Sequence, residues 1–305
     1  MSEGEAHSLS GGESPPTHRA GVVALLGPPN AGKSALFNRL LGEKIAIVTA
    51  KPQTTRSRIL GISSRPDAQI LFLDTPGLHR GNKPLNRALN EGVEEATEKC
   101  DLGLLLVDRQ RGWQEAHDQL LARLRVVGTR FIVVGSKVDL LRAGEASWPP
   151  AQVEGVPTLS VSASTGQGVE ALIEAIVTRL PVSPPLFPAD QLTDRPVRWL
   201  AAELVREAAF EELSQELPYS LAVEVVEFDE SRPSLVRIRA NLLVARSSQK
   251  RIVVGTGGQV IKAIGQRARH EIQNLLQNKV HLELWVKIDP AWLKNKRRIK
   301  ALGYG

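Results

Sequence analysis

The stretch Gly27-Pro28-Pro29-Asn30-Ala31-Gly32-Lys33-Ser34 reads GxxxxGK[ST], and it narrows the possible folds more than any other part of the chain. An apolar run with strand character, residues 22–26, precedes it. Residues 35–41 follow with helical spacing. Strand, glycine loop and helix together form the context in which this pattern binds phosphate. Glycines let the backbone curl so that successive N–H groups point inward at an anion, and the next helix adds the positive end of its dipole. Gly27, Pro28, Pro29, Asn30, Ala31, Gly32, Lys33, Ser34 and Ala35 are therefore expected around phosphates. Lys33 reaches the terminal ones and the Ser34 hydroxyl is a ligand for Mg²⁺.

The surrounding pattern extends the reading. Residues 21–26, 69–73, 102–107, 131–135 and 157–161 are strand candidates, four of them almost wholly apolar, as strands buried on both faces are. Helical stretches separate them at 33–41, 85–99, 114–125 and 169–180, which predicts an α/β domain with a mostly parallel, doubly wound sheet. Residues 59–63 add an antiparallel edge strand. Ligands in such sheets sit at the carboxyl ends of the strands, so chemistry is expected just after each apolar run.

Asp74-Thr75-Pro76-Gly77 follows one such run, about 40 residues after the phosphate loop. Asp74 is placed to hold Mg²⁺ and the Gly77 N–H to sense a γ-phosphate. Ser136-Lys137-Val138-Asp139 follows another. A carboxylate there accepts two hydrogen bonds from a guanine edge, which adenine cannot supply, and the lysine stem packs over the base. Ser162 and Ala163 follow the last run, with a backbone N–H for the guanine carbonyl. Between phosphate loop and Asp74, the polar loop Gln53-Thr54-Thr55-Arg56 offers a threonine hydroxyl that closes on Mg²⁺ when a triphosphate is bound.

The chain then changes character. Residues 1–19, rich in Ser, Gly, Glu and Pro, are expected to be disordered. The first domain spans 20–182, a proline-dense linker 183–195, a second domain 196–290 and a basic tail 291–305. The second domain reads as a helix (195–217, stopped by Pro218), two strands (221–228, 235–245), two helices and a last strand (280–288), an α+β module. Gly255-Thr256-Gly257-Gly258 is a GxxG loop between its two central helices, able to clamp a nucleic-acid backbone. Arg246, Lys250, Arg251, Lys262, Arg267 and Arg269 flank it, and Ile252, Val254, Ile261 and Ile264 either floor a groove for unstacked bases or belong to the core.

Charge follows the same division. The chain carries +6 overall, yet residues 1–194 hold 20 Lys and Arg against 21 Asp and Glu, whereas 246–305 hold 13 against 3. A near-neutral first part and a basic end suggest two tasks, the second directed at an anion. Cys100 is the sole cysteine, so no intrachain disulfide forms, in keeping with a reducing cytoplasm. No apolar run reaches the roughly 18–20 residues that span a bilayer, and the N-terminus lacks the apolar core of a secretory signal.

With these words in place the chain resembles the Era family of bacterial GTPases. The resemblance rests on Gly27 to Ser34, Gln53-Thr54-Thr55-Arg56, Asp74-Thr75-Pro76-Gly77-Leu78, Ser136 to Asp139, the SAST word from Ser162, ELPYS from Glu216 and HLELWVK from His281. It implies a P-loop GTPase domain followed by a type II KH domain. It also implies GTP and GDP as ligands, contact with the 3′ end region of small-subunit ribosomal RNA, and a role in assembling that subunit. By the same resemblance Ser34, Thr55 and Asp74 hold Mg²⁺, with Thr55 preferred to Thr54 because it directly precedes the arginine. Hydrolysis is expected to be slow. Leu78 is apolar and cannot orient water, and no side chain is an evident base, which leaves Lys33, Asn30, Thr55 and Gly77 to serve the reaction. The resemblance further implies a K⁺ ion held in part by Asn30, beside the plainer role of Asn30 as a turn residue. The family usually carries Asn where this chain has Ser136. A shorter hydroxyl implies nucleotide affinity weakened by roughly 0.5–1.5 kcal/mol, with guanine preference kept by Asp139. A cytoplasmic monomer is expected. Two rivals stay open: a GTPase that places its basic residues 294–300 peripherally on the anionic inner face of the cell membrane, and an RNA chaperone whose nucleotide is structural.

Overall fold

The computed structural model describes residues 18–49, 51, 54–77, 84–141 and 148–304. Expectations for residues 1–17, Gln53 and Leu78 fall outside the described residues. The apolar runs form the strands and the intervening periodic stretches form the helices. The order is β1 (Arg19–Leu26), α1 (Lys33–Leu41), β2 (Ile59–Ser64), β3 (Ala68–Asp74), α2 (Pro84–Lys99), β4 (Leu102–Asp108), α3 (Glu115–Val127), β5 (Phe131–Ser136), β6 (Thr158–Ser160) and α4 (Val169–Val177). They build a sheet of order β2-β3-β1-β4-β5-β6, parallel throughout except for β2, which runs antiparallel to β3 at the edge. β3 and β4 are buried at every position, because helices cover both faces. One core lies on each face, with Phe37, Phe72 and Leu104 on one side and Leu26, Leu105 and Leu124 on the other.

The second unit is α5 (Val197–Glu212), β7 (Ala222–Arg232), β8 (Leu235–Val244), α6 (Ser247–Val254), α7 (Gln259–Leu276), β9 (Val280–Ile288) and α8 (Lys296–Ala301). β8 is central, antiparallel to β7 and parallel to β9. α5 and α7 pack on one face of this sheet around Val205, Leu242, Ile264 and Ile272, all fully buried. Burying such side chains stabilises the unit by about 1.5–3 kcal/mol each.

Two sequence expectations are corrected. Arg19 belongs to β1, paired with Ala68, so order begins before residue 20. α5 stops at Glu212, short of Pro218, because Leu213 turns to extended backbone and buries its side chain in the second core. The proline-dense linker is tied to the first sheet. Leu186 and Phe187 N–H groups donate to Gln69 Oε1 at 2.7 and 2.9 Å, Ile62 N–H donates to Leu192 O, and Thr193 Oγ1 donates to Leu60 O. The bonds of Ile62 and Leu60 cover part of the open edge of β2, which would otherwise be free to pair with another chain.

Candidate functional site

β1 ends where the glycine loop begins, and α1 starts at Lys33 behind Gly32, so the loop is gripped between a central strand and a helix N-terminus. A cavity of about 310 Å³ opens there, with Lys33, Ser34, Thr55, Gly77 and Lys137 among its walls. Lys33 is buried and its Nζ donates to the Gly27 and Pro28 carbonyls at 2.9 and 3.0 Å. Burial pulls this ammonium down to about 8, against an upward pull from Asp74.

Ser34, Thr55 and Asp74 come together although they lie on three separate segments. Ser34 Oγ donates to Asp74 Oδ2 at 2.7 Å and lies 2.8 Å from Thr55 Oγ1. Asp74 is fully buried, and its other oxygen, Oδ1, has no hydrogen-bond partner among the described residues. Burial drives its carboxyl up to about 6, against the Ser34 hydrogen bond and the Lys33 charge. An unpartnered carboxylate oxygen beside two hydroxyls is a hard oxygen set of the kind Mg²⁺ takes, so the residues present fit that ion. Thr54 is the wrong threonine for this task, as its hydroxyl turns back to Thr49 and the Lys51 carbonyl. Thr75 is also turned away, since its hydroxyl is spent on the Leu25 carbonyl inside the sheet. Pro76 and Gly77 continue past Asp74. A Cβ on Gly77 would sit 2.7 Å from the Pro29 nitrogen, so only glycine lets this segment lie against the phosphate loop.

The base end is built at the carboxyl ends of β5 and β6. Ser136 Oγ donates to the Ala31 carbonyl at 2.7 Å. The expectation that a hydroxyl falls short is thus corrected for one of its two tasks: the tether to the phosphate loop is kept. With a single proton, the same hydroxyl has nothing left to give toward a base. Lys137 Nζ donates to the Asn30 carbonyl at 2.7 Å and to Asp108 Oδ2 at 2.8 Å. Asn30 itself holds a left-handed φ of 65° in the loop. Val138 opens a short 3₁₀ turn that leaves the Asp139 carboxylate at the surface. Hydrogen bonds from Ser162 and Ser164 hold Asp139 below the usual carboxylate range, so it stays an acceptor. Ala163 lies beside it, its carbonyl taken by Arg39. Asp108 was missed by sequence reasoning, although an acid ending an apolar run in such a sheet is a readable signal.

The second unit carries its own site. Gly255, Gly257 and Gly258 take φ of 74°, 58° and 80°, values open to glycine, and they leave Thr256 at an exposed loop tip between α6 and α7. Beside the loop a groove of about 300 Å³ runs between α7 and the edge of β9, walled by Ile261, Lys262, Gly265, Gln266, Arg269, Leu282 and Leu284. Ile264 is core, and Ile252 is 57% exposed away from it. Arg246, Lys250 and Arg251 are exposed on or beside α6. Arg267, expected on nucleic acid, points to α5 instead and pairs with Glu211 at 3.0 Å. Leu282 and Leu284, alternate residues of β9, were missed because an alternating strand reads the same whether its apolar face meets a core or a groove. In the tail, Arg298 pairs with Glu224 and Asp289, and Lys296 with Glu91, leaving Lys294, Arg297 and Lys300 exposed.

Comparison with known proteins finds matches to both domains. A family model described as a 50S ribosome-binding GTPase matches residues 22–137, and one described as a KH domain matches residues 216–293. GTPase Era of Nitratidesulfovibrio vulgaris (strain DSM 19637 / Miyazaki F) is 43% identical, covering 94% of this chain and 97% of its own length. GTPase Era of Pseudomonas aeruginosa (strain LESB58) is 40% identical, over 95% and 97%. Among solved structures, a variant of Aquifex aeolicus Era bound to GDP and AlF4⁻ matches with a TM-score of 0.87 at 35% identity, over 94% of this chain and 99% of that one. Era in complex with MgGDPNP and nucleotides 1506–1542 of 16S ribosomal RNA matches with a TM-score of 0.86 at 35% identity, over the same shares.

Proposed function

The chain belongs to the Era family of GTPases, and on that premise we propose how its two domains divide one task. The first domain is a P-loop GTPase and the chain hydrolyses GTP to GDP and phosphate. Lys33, freed from the Gly27 and Pro28 carbonyls, turns to the phosphates. Ser34, Thr55 and Asp74 hold Mg²⁺, which neutralises charge on the phosphate oxygens. Asp139 accepts from the guanine edge, Lys137 packs over the base, and the Ala163 amide meets its carbonyl. Asn30 would contribute to a K⁺ site aiding a reaction for which no side chain among the described residues is an evident base. The convergence of Ser34, Thr55 and the unpartnered Asp74 oxygen carries this assignment.

The second domain binds the 3′ end region of small-subunit ribosomal RNA and serves assembly of that subunit in the cytoplasm. Gly255, Thr256, Gly257 and Gly258 approach the RNA backbone, with Arg246, Lys250 and Arg251 beside them. Lys262 and Arg269 flank bases laid on Ile261, Leu282 and Leu284. Support comes from this groove and from the relative solved with 16S ribosomal RNA nucleotides. Among the described residues no helix is long and apolar enough to cross a membrane, and the pairing of Lys296 and Arg298 leaves less tail charge for a lipid surface than the sequence suggests.

The test is titration of an RNA oligonucleotide of the 16S 3′ end into the protein loaded with GTP analogue or GDP. Tighter binding in the analogue state is expected, with a log–log salt slope of about −0.7 per phosphate contact. Equal affinities would remove any coupling of RNA binding to the bound nucleotide, and binding that ignores salt would remove the groove.

A further inference from the structure

Thr55 belongs to a loop of the first domain, yet both of its neighbours in sequence are held by the second. On one side, the Thr54 carbonyl accepts from Arg206 Nη1 at 2.6 Å. Arg206 lies on α5, is fully buried, and is itself fixed by Glu203 through two hydrogen bonds, one of 2.8 Å from Nε. On the other side, Arg56 leaves its own domain altogether. Its guanidinium donates to the Leu221 and Pro218 carbonyls at 2.6 and 2.9 Å. The rings of Phe210, Trp292 and Tyr304 surround it at 5.5, 5.9 and 5.5 Å. Two of those rings come from beyond β9, in the segment that closes back over the junction.

Burying the cation of a loop residue beside a second buried cation, Arg206, is costly unless both are well paired. Arg206 has the Glu203 carboxylate, while ring faces and carbonyl dipoles serve Arg56, whose guanidinium fork suits two carbonyls as a lysine head does not. The arrangement holds the hydroxyl between Arg56 and Thr54 where it meets Ser34 and Asp74.

We propose that Arg56 and Arg206 are positioning residues for GTP hydrolysis, and that the second domain, through the aromatic cage closed by Tyr304, places Thr55 at the phosphate and Mg²⁺ site. The proposal rests on the GTPase reading of that site. A threonine that meets the γ-phosphate end matters to GTP and little to GDP, so a positioning role separates from a general structural one by nucleotide.

The experiment measures affinities for a non-hydrolysable GTP analogue and for GDP, by titration in Mg²⁺, on the full chain and on four variants: Arg56→Gln, Arg56→Lys, Tyr304→Ala and Tyr304→Phe. Arg56→Gln, which loses the charge-assisted hydrogen bonds of a desolvated cation, and Tyr304→Ala, which loses a ring face over that cation, are each expected to lower the analogue-to-GDP affinity ratio by about tenfold or more. Arg56→Lys is expected to fall between them and the parent. Tyr304→Phe, which keeps the ring face, is expected to restore most of the ratio, and GDP affinity stays within about twofold throughout. A ratio that does not move in Tyr304→Ala overturns the proposal, and so does an equal weakening of both nucleotides. Should Arg56→Gln fail to fold, the tyrosine pair decides. A parent protein that binds neither nucleotide would sink the GTPase reading instead.

Discussion

Ser136 offers the sharpest test of how the base end of the pocket works. Its hydroxyl donates to the Ala31 carbonyl at 2.7 Å, with the Val107 carbonyl farther off at 3.3 Å. Ser136→Ala removes the donor and leaves the Ala31 carbonyl inside a buried loop without that partner. An orphaned buried acceptor costs about 1–3 kcal/mol, and if all of it falls on the order of the phosphate loop, nucleotide affinity drops roughly five- to 150-fold. GTP and GDP should lose equally, because the loop serves phosphates common to both. Base preference should survive, because Asp139 stands apart on its own serine pair. Ser136→Asn goes the other way. An amide keeps one N–H for Ala31 and has further polar capacity for the base, worth about 0.5–1.5 kcal/mol or two- to tenfold tighter binding. Equilibrium titration with a fluorescent guanine nucleotide, then competition by GTP, GDP and ATP, measures all of this. Affinity within twofold of the parent for Ser136→Ala would refute the tether, and a changed GTP-to-GDP ratio would place the effect at the γ-phosphate instead.

Three further outcomes are expected. Gly77→Ala drives a Cβ to 2.7 Å from the Pro29 nitrogen, and competition titration should show GTP-analogue affinity down by about tenfold or more with GDP far less affected. Arg269→Ala should weaken RNA binding and shallow the salt slope by about 0.7, whereas Arg267→Ala, which breaks pairs with Glu211 and Glu212 on α5, should leave RNA affinity unchanged in a filter-binding titration. His117 is buried with Nε2 donating to the Leu106 carbonyl, and burial holds its pKa below the 6.5 of the unfolded chain. The folded state therefore binds fewer protons than the unfolded one below pH 6.5, so stability falls as pH drops through that value and below. Asp74, raised by burial to about 6, acts in the opposite sense and is common to parent and variant. The loss of melting temperature between pH 7.5 and 5.5 should accordingly be smaller in His117→Gln than in the parent, and an equal or larger loss would refute the assignment.

The parts of the nucleotide pocket were readable from residue order because each is a local motif. An apolar run forces a strand, GxxxxGK[ST] forces the loop that ends it, and an acid ending the neighbouring parallel strand arrives at the same end of the sheet. The same holds for the GxxG loop, whose three left-handed glycines announce a turn that other residues resist. What stayed hidden are the pairings between segments that share no pattern. Arg56 reads as a solvated loop cation, yet it lies in a cage whose members are more than 150 residues away. Arg267 and Arg269 are two positions apart on one helix and look alike in sequence, while one faces α5 and the other the groove. The face of a helix that meets a partner depends on how two units dock, and docking is settled by the summed fit of surfaces distant in sequence. Local spacing can thus place a loop, a strand end or a helix, whereas the partner of each side chain across the domain junction is decided only when the chain has packed.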